Sequence, residues 1–218
     1  MNAPFQVNDT VAIAKGRRWA SVDELPKDLW QRKELGLLAY KAKAFQEAAT
    51  IWTEAVQDLK IWSAEDCKSV CGSSELKHLQ LMFILGINQA AAIIEIAKLA
   101  TTSFDRQYAA MVAMLGLALA HSSLEYCPHG FGPPALLVAK LYYREAVVAR
   151  MRDALSAAYE AICEAAALSP QDKVIQAEAE TIDALFEENG HAGGLGDVLD
   201  YFAHMRAAGS WGGIPTVG

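Results

Sequence analysis

The chain has 218 residues and is 53% hydrophobic, so it can bury one sizeable core, and global disorder is excluded. Its formal net charge of -7 argues against general nucleic-acid binding, which needs a broad basic surface. A basic site can still be local, and an acidic body would then confine an anionic partner to it.

The N-terminal residues and the cysteines predict a cytoplasmic protein. Met1–Ile13 has neither a basic start nor an apolar run before a cleavage site, so it does not resemble a secretory signal. The cysteines are Cys67, Cys71, Cys127 and Cys163. Without a secretion signal, all of them are expected to be reduced thiols rather than disulfides.

Two apolar stretches are candidates for membrane spans. Tyr108–Ala120 is too short to cross a bilayer and predicts a buried helix. Leu79–Ala100 is longer, but polar residues interrupt it, so it predicts a core helix. We therefore expect no membrane span.

The first half of the chain predicts helices separated by short breaks. Pro26 opens a helical run after an N-terminal arm, and Lys41–Lys43 leaves room only for a tight turn before the second helix. These two helices must therefore pack antiparallel. Ile61–Ser74 predicts a break, and two further helices follow, at Glu75 to about Ala100 and at about Asp105 to Tyr126.

The second half begins with a loop rich in glycine and proline at Cys127–Pro134. Pro134–Pro170 predicts two helices with a short turn near Arg150–Arg152, and Gln171–Asn189 predicts a further amphipathic helix. Leu195–Ala207 is a possible last helix before the tail. No convincing strand is found, so the predicted fold class is all-α.

Small residues recur at fixed places in the first and third helix pairs. In a unit of about 34 residues, places eight, twenty and twenty-seven are small, and a large apolar residue lies between the last two. The first unit has Gly36, Ala48 and Ala55 around Trp52, and the third has Ala146, Ala158 and Ala165 around Ile162 and ends at Pro170. In the middle unit Ala90 fits the first place, and the later places fit only after an insertion.

This pattern resembles the tetratricopeptide repeat (TPR). The resemblance implies three antiparallel helix pairs stacked as a solenoid over residues 27–170, with insertions at about 61–82 and 127–134. It also implies that the helix at Gln171–Asn189 caps the array. The residues themselves predict an N-terminal arm at 1–26, and a possible extra helix and a tail after the capping helix in 171–218. A generic helical bundle rich in alanine is the alternative.

The resemblance extends to the carboxylate clamp of the co-chaperones in this family. Among these, the chain is similar to immunophilin-type and aryl-hydrocarbon-receptor-interacting-protein-like TPR domains. The clamp lysines fall on Lys33 and Lys140, its arginine on Arg144, and one asparagine on Asn88. The remaining asparagine falls on Leu37, which departs from the pattern. The resemblance implies binding of the acidic, EEVD-like C-terminal tail of a cytosolic heat-shock chaperone of the seventy- or ninety-kilodalton class.

The residue types suit that ligand, because lysine supplies a point charge, arginine a planar fork and asparagine an amide donor. Leu37 removes one donor, worth about 1.5–3 kcal/mol if nothing replaces it. The alternatives are a solvated basic face for Lys140 and Arg144 and a helix–helix hydrogen bond for Asn88.

Other functions have weaker support. Cys67, Cys71, His78, Cys127 and His129 have the residue types of a zinc site, but not a standard spacing. No nucleophile–base pair is visible, His121 is isolated, and neither an enzyme nor a cofactor is predicted.

The rival function is a TPR scaffold that binds an internal segment of another protein without chaperone involvement. Self-association through Leu195–Ala207 is a third hypothesis. The arm, the insertions and the tail contain no motif that identifies a client protein.

Overall fold

A computed structural model describes residues 24–66, 73–125 and 132–189 of the chain. All regular secondary structure in these ranges is α-helical, which confirms the predicted all-α class. The helices are α1 Glu24–Lys41, α2 Phe45–Asp66, α3 Ser73–Lys98, α4 Ser103–Glu125, α5 Ala135–Met151, α6 Leu155–Leu168 and α7 Lys173–Glu188.

The two predicted tight turns, between α1 and α2 and between α5 and α6, are confirmed and have the same geometry. Lys43 and Asp153 adopt left-handed backbone conformations, with φ of 61° and 59°. In each turn the amide of the next residue donates to the carbonyl five positions earlier, at 2.9 Å. This bond satisfies a helix-end carbonyl and reverses the chain within a few residues.

Successive helices pack against each other along the whole described chain. In addition, α1 contacts α3, α3 contacts α5, and α5 contacts α7. A large apolar cluster joins α1 to α5, and a second cluster joins α5, α6 and α7. The odd-numbered helices α1, α3 and α5 therefore lie side by side, and they carry all five predicted clamp positions.

The small residues of the first and third pairs lie where their helices cross. The alanines at the repeated places are fully buried, and so are the two large residues between them. These residues are Ala48, Ala55, Ala146, Ala158 and Ala165, with Trp52 and Ile162. A methyl group at Gly36 would lie 2.3 Å from Nε1 of Trp52, so the α1–α2 crossing needs glycine there.

The middle pair shows the same small–large–small arrangement, which the sequence alone did not locate. Ala113 and Ala120 are fully buried on α4, and Leu117 between them is 3% exposed. Their spacing of seven equals that of the small pairs on α2 and α6. The insertion therefore lies between Ala90 and Ala113.

The predicted break at Ile61–Ser74 is wrong at both ends. Helix α2 continues to Asp66 and α3 begins at Ser73, so most of the insertion expected at about 61–82 is helical. Once a helix is nucleated, each added residue gains a backbone hydrogen bond at little cost. Ser63, Ala64 and Glu65 offer no glycine or proline to stop it.

The prediction that Tyr108–Ala120 is a buried helix holds for only one face of α4. Ala110, Ala113 and Leu117 are buried, but Met111 and Leu115 are 54% and 58% exposed. The stretch Leu79–Lys98 of α3 is a core helix as predicted, with 72% of its most apolar window buried. By length and composition alone, both α3 and α4 are apolar enough to cross a membrane, and in α4 only 39% of that window is buried.

The helix predicted at Gln171–Asn189 is confirmed as α7. Asp172 caps it, since one carboxylate oxygen accepts from the amides of Val174 and Ile175 at 2.9 and 3.4 Å. The arm up to residue 23, most of the predicted loop Cys127–Pro134, the possible helix Leu195–Ala207 and the tail lie outside the described residues.

Candidate anion-binding groove

Arg144 is the most unusual charged residue of the described chain. It projects from α5, and its Nη1 donates to the backbone carbonyl of Ile87 on α3 at 2.6 Å. Removal from water lowers the pKa of its guanidinium to about 10, so it remains a cation at neutral pH. No carboxylate within the described ranges pairs with it. Most of its donors are therefore available to an anion.

Two tyrosines from different helices lie in the electrostatic field of Arg144. Burial raises the pKa of both Tyr40 and Tyr143, and the arginine cation partly offsets this rise. Glu95 raises both tyrosine pKa values further, but its carboxylate pairs with Lys98 at 2.7 Å rather than with the arginine. Two phenols that stay neutral at neutral pH therefore lie near Arg144.

Asn88 and Lys140 are both half-buried, and both lie near Arg144. Asn88 follows the residue whose carbonyl accepts from Arg144, and Lys140 lies one helical turn before it. Within the ranges that the structure describes, neither side chain makes a hydrogen bond or ion pair. The helix–helix hydrogen bond weighed for Asn88 belongs instead to Gln89, whose amide donates to Thr53 at 3.0 Å.

The two predicted clamp positions on α1, Lys33 and Leu37, already have partners within the protein. The Nζ of Lys33 pairs with Glu34 at 2.6 Å and lies 4.7 Å from the ring centroid of Trp30, so these contacts of its ammonium group stay within α1. This pairing lowers the pKa of the Glu34 carboxyl. Leu37 is half-buried and packs against the large apolar cluster. The structure thus brings Arg144 to the α3 backbone beside Asn88, but joins Lys33 to none of the other three by direct contact.

Sequence reasoning missed Tyr40, Tyr143 and Glu95. A helical-spacing signal was present for two of them, because Tyr40 lies seven residues after Lys33 and Glu95 seven residues after Asn88. Residues at that spacing share a helix face. Tyr143 could be placed only by the packing of α5.

His121, which sequence reasoning left isolated, contacts Glu145 across the α4–α5 interface. Its Nε2 lies 2.5 Å from Oε1 of Glu145, and its ring meets Tyr142 edge-on with centroids 5.7 Å apart. The hydrogen bond to Glu145 raises the pKa of His121 above its ordinary value, while burial works against the rise. Glu145 and Glu125 also favour the imidazolium electrostatically.

The stability of the protein should therefore depend on pH through His121. Because its folded-state pKa is raised, the contact stabilises fully below the ordinary pKa of 6.5 and is lost as pH rises through the folded-state pKa. Both side chains are partly exposed, so His121→Gln should cost at most about 1 kcal/mol near pH 6 and less near pH 8. Urea denaturation at both pH values measures this, and a cost that grows with pH would contradict it.

Metal binding and thiol chemistry find little support in the described part of the chain. No cluster of histidine, cysteine or carboxylate side chains there could hold a metal ion. The candidate zinc ligands Cys67, Cys71, Cys127 and His129, and the side chain of His78, lie outside the described residues. Cys163 is buried, and desolvation raises the pKa of its thiol to about 11, so it stays protonated.

Comparison with known proteins yields no family model, no curated protein and no solved structure that matches this chain. What the described residues establish is the all-α class.

Proposed function

We propose that this chain is a cytoplasmic TPR adaptor of the co-chaperone type, which binds the acidic C-terminal tail of a heat-shock chaperone in a groove along α1, α3 and α5. The observation that carries the proposal is Arg144, a desolvated cation without a carboxylate partner among the described residues. Partial desolvation of a cation that lacks a counterion costs free energy, so its retention favours a site that an external anion completes.

Helix packing supports the repeat class. All three helix pairs have small residues seven apart on the second helix with a large apolar residue between them. The first helices of the three pairs, α1, α3 and α5, contact each other in order, as helices that line one continuous surface must. The packing of α7 on α5 and α6 supports a capping role for this helix.

The chemistry of the groove supports the ligand class. A C-terminal aspartate carries two carboxylates, which need several donors from more than one helix. Arg144 and Lys140 supply cationic donors from α5, and Asn88 supplies an amide from α3. These side chains are already half-buried, so a carboxylate placed among them forms hydrogen bonds with little competition from water.

The second candidate function, a scaffold that binds an internal segment, is favoured by the α1 side of the groove. Leu37 is apolar where the clamp pattern has asparagine, and Lys33 already has Glu34 as a counterion. An apolar segment without a free carboxylate would suit this half of the groove better than an acidic tail. Both functions use the same surface and need neither a catalytic residue nor a cofactor.

Titration of the chain with the free-acid peptide Met-Glu-Glu-Val-Asp tests the proposal. We expect binding, and a loss of about tenfold to hundredfold in affinity for Arg144→Ala, since a hydrogen bond to a charged group contributes about 1.5–3 kcal/mol. Lys140→Ala should weaken binding similarly, and it carries little folding risk because this side chain has no partner in the described residues. Isothermal calorimetry provides the affinities.

Arg106→Ala is the matched control, because Arg106 is an exposed arginine on α4, away from the groove. The Arg106→Ala variant should bind the peptide with the same affinity as the native chain. Amidating the peptide separates the two functions, since a clamp requires the free carboxylate and a scaffold does not. Absence of binding at high micromolar concentration, or equal affinity for the amidated peptide, would contradict the clamp.

A further inference from the structure

The outer face of α4 is a continuous apolar surface. Phe104 is 74% exposed, Met111 54% and Leu115 58%. The sequence from 107 to 124 contains no lysine, arginine, aspartate or glutamate. The charged residues Arg152 and Asp153 contact α4 beside this face, at Met114 and Gln107. A single exposed apolar residue needs no explanation, but a contiguous patch indicates an interaction surface.

The residues of this face have the spacing of a two-helix seam. Their intervals alternate between four and three, which is the interval pattern of the core positions in a coiled coil. The α4 seam consists of Phe104, Tyr108, Met111, Leu115, Ala118 and Ser122. The opposite face of α4 already packs on α3 through Ala113, Leu117 and Ala120, so the seam is a second, independent packing face.

We propose that the α4 seam binds the same seam of a second copy of this chain, with the two helices antiparallel. In that orientation the two aromatic residues at the N-terminal end meet small residues at the C-terminal end, and the two large residues in the middle meet each other. The opposed pairs are Phe104 with Ser122, Tyr108 with Ala118, and Met111 with Leu115. A parallel pairing would oppose each residue to itself, so aromatic rings would crowd one end and leave the serine end loosely packed.

Charge at the ends of α4 favours the same orientation. Asp105 and Arg106 lie in the first turn, and Glu125 is the last residue. Antiparallel pairing brings the end that carries both Asp105 and Arg106 towards Glu125 of the other copy, so the arginine offsets the repulsion between the two carboxylates. Parallel pairing would instead bring the two Glu125 side chains together. It also opposes the two helix dipoles, so the N-terminal end of each α4 lies near the C-terminal end of the other.

The size of the seam sets the expected strength. Helix α4 has 23 residues, which makes it about 35 Å long with a face about 10 Å wide. This face of about 350 Å² is roughly half of the 800 Å² or so that each partner buries in a standard interface. The dimer should therefore be weak and depend on concentration, and it requires no unpaired charge to be buried.

Sedimentation equilibrium of the full chain over a range of concentrations tests the pairing. The native chain should show a reversible monomer–dimer equilibrium, and Leu115→Glu should be monomeric throughout. The matched control is Val174→Glu on α7, where the native side chain is 59% exposed, close to the 58% of Leu115. This control should dimerise like the native chain, and circular dichroism should show that both variants are equally helical.

A charge pair tests the orientation. Phe104→Lys and Ser122→Glu should each weaken the dimer, and the double variant should restore it, because each lysine then faces the glutamate of the other copy. In a parallel pair the double variant would oppose like charges, and the dimer would weaken further. A double variant no stronger than the single ones would overturn the antiparallel arrangement.

Other occupants of the seam are separate outcomes of these measurements. A native chain that stays monomeric at every concentration overturns the proposal. So does a dimer that persists in Leu115→Glu, which would favour the third hypothesis, self-association through Leu195–Ala207. Flotation with vesicles of zwitterionic and anionic lipids is the third measurement, and it tests whether the chain binds a membrane. Vesicle binding by a monomeric native chain, lost in Leu115→Glu, would assign the seam to a membrane surface instead.

Discussion

Replacement of Gly86 by alanine is expected to lower the free energy of unfolding by about 3 kcal/mol, at the upper end of the range for overpacked cores. A methyl group at this position would lie 2.4 Å from the carbonyl oxygen of Gly116 and 3.3 Å from the amide nitrogen of Ala120. Both atoms belong to the α4 backbone, which cannot turn aside as a side chain can. The helices α3 and α4, which pack more extensively than any other pair in the described chain, would have to separate.

Urea denaturation measures this loss, and Gly132→Ala is its control. A methyl group at Gly132 would meet no atom within 4 Å, so its effect should stay within about 0.5 kcal/mol. Gly116→Ala should resemble Gly86→Ala, because its methyl group would lie 2.6 Å from the Gly86 carbonyl oxygen. Equal stability of Gly86→Ala and Gly132→Ala would mean that α3 and α4 cross elsewhere.

The second large effect is a coupling between Gly36 and Trp52 at the α1–α2 crossing. Gly36→Ala alone should cost about 2 kcal/mol, because its methyl group would lie 2.3 Å from Nε1 of the indole. Trp52 is 1% exposed, and its Nε1 donates to the Lys33 carbonyl at 3.3 Å, so the ring has little freedom to move. Trp52→Leu alone should cost about 3 kcal/mol through lost contacts and a cavity.

The double variant should be more stable than the sum of the two single losses predicts. Leucine is smaller than tryptophan and leaves room for the new methyl group, which in turn fills part of the cavity. We expect a favourable coupling of about 1–2 kcal/mol in a double-mutant cycle of unfolding free energies. Strictly additive losses would show that the indole does not pack on Gly36.

Much of the fold could be predicted from local sequence. The tight turn at Lys41–Lys43 and the proline that precedes α5 are short-range signals, and both mark helix boundaries. The small residues at fixed intervals in α2 and α6 also identified where helices cross, since only small side chains allow close approach. The break at Ile61–Ser74 failed as a prediction because loop-like composition is weaker evidence than helix propagation.

The sequence indicated which residue types form the candidate site, but not which neighbouring residues their side chains contact. Lys140 and Arg144 share a helix face by spacing alone, and their role in binding stays a prediction. That Gln89 rather than Asn88 bonds to a neighbouring helix required the rotation of α3 against α2, which no local pattern encodes. The pairing of His121 with Glu145 likewise joins residues on different helices.

By itself, the sequence determined the helical class, the antiparallel pairing across the short turns and the places of close crossing, because these follow from interactions between residues near in the chain. Tertiary structure decided which polar groups are desolvated. It partly desolvated the guanidinium of Arg144 against the α3 backbone without a carboxylate partner in the described residues, and it left the apolar outer face of α4 exposed. Desolvation depends on every element packed around a group, so it emerges only when distant helices come together.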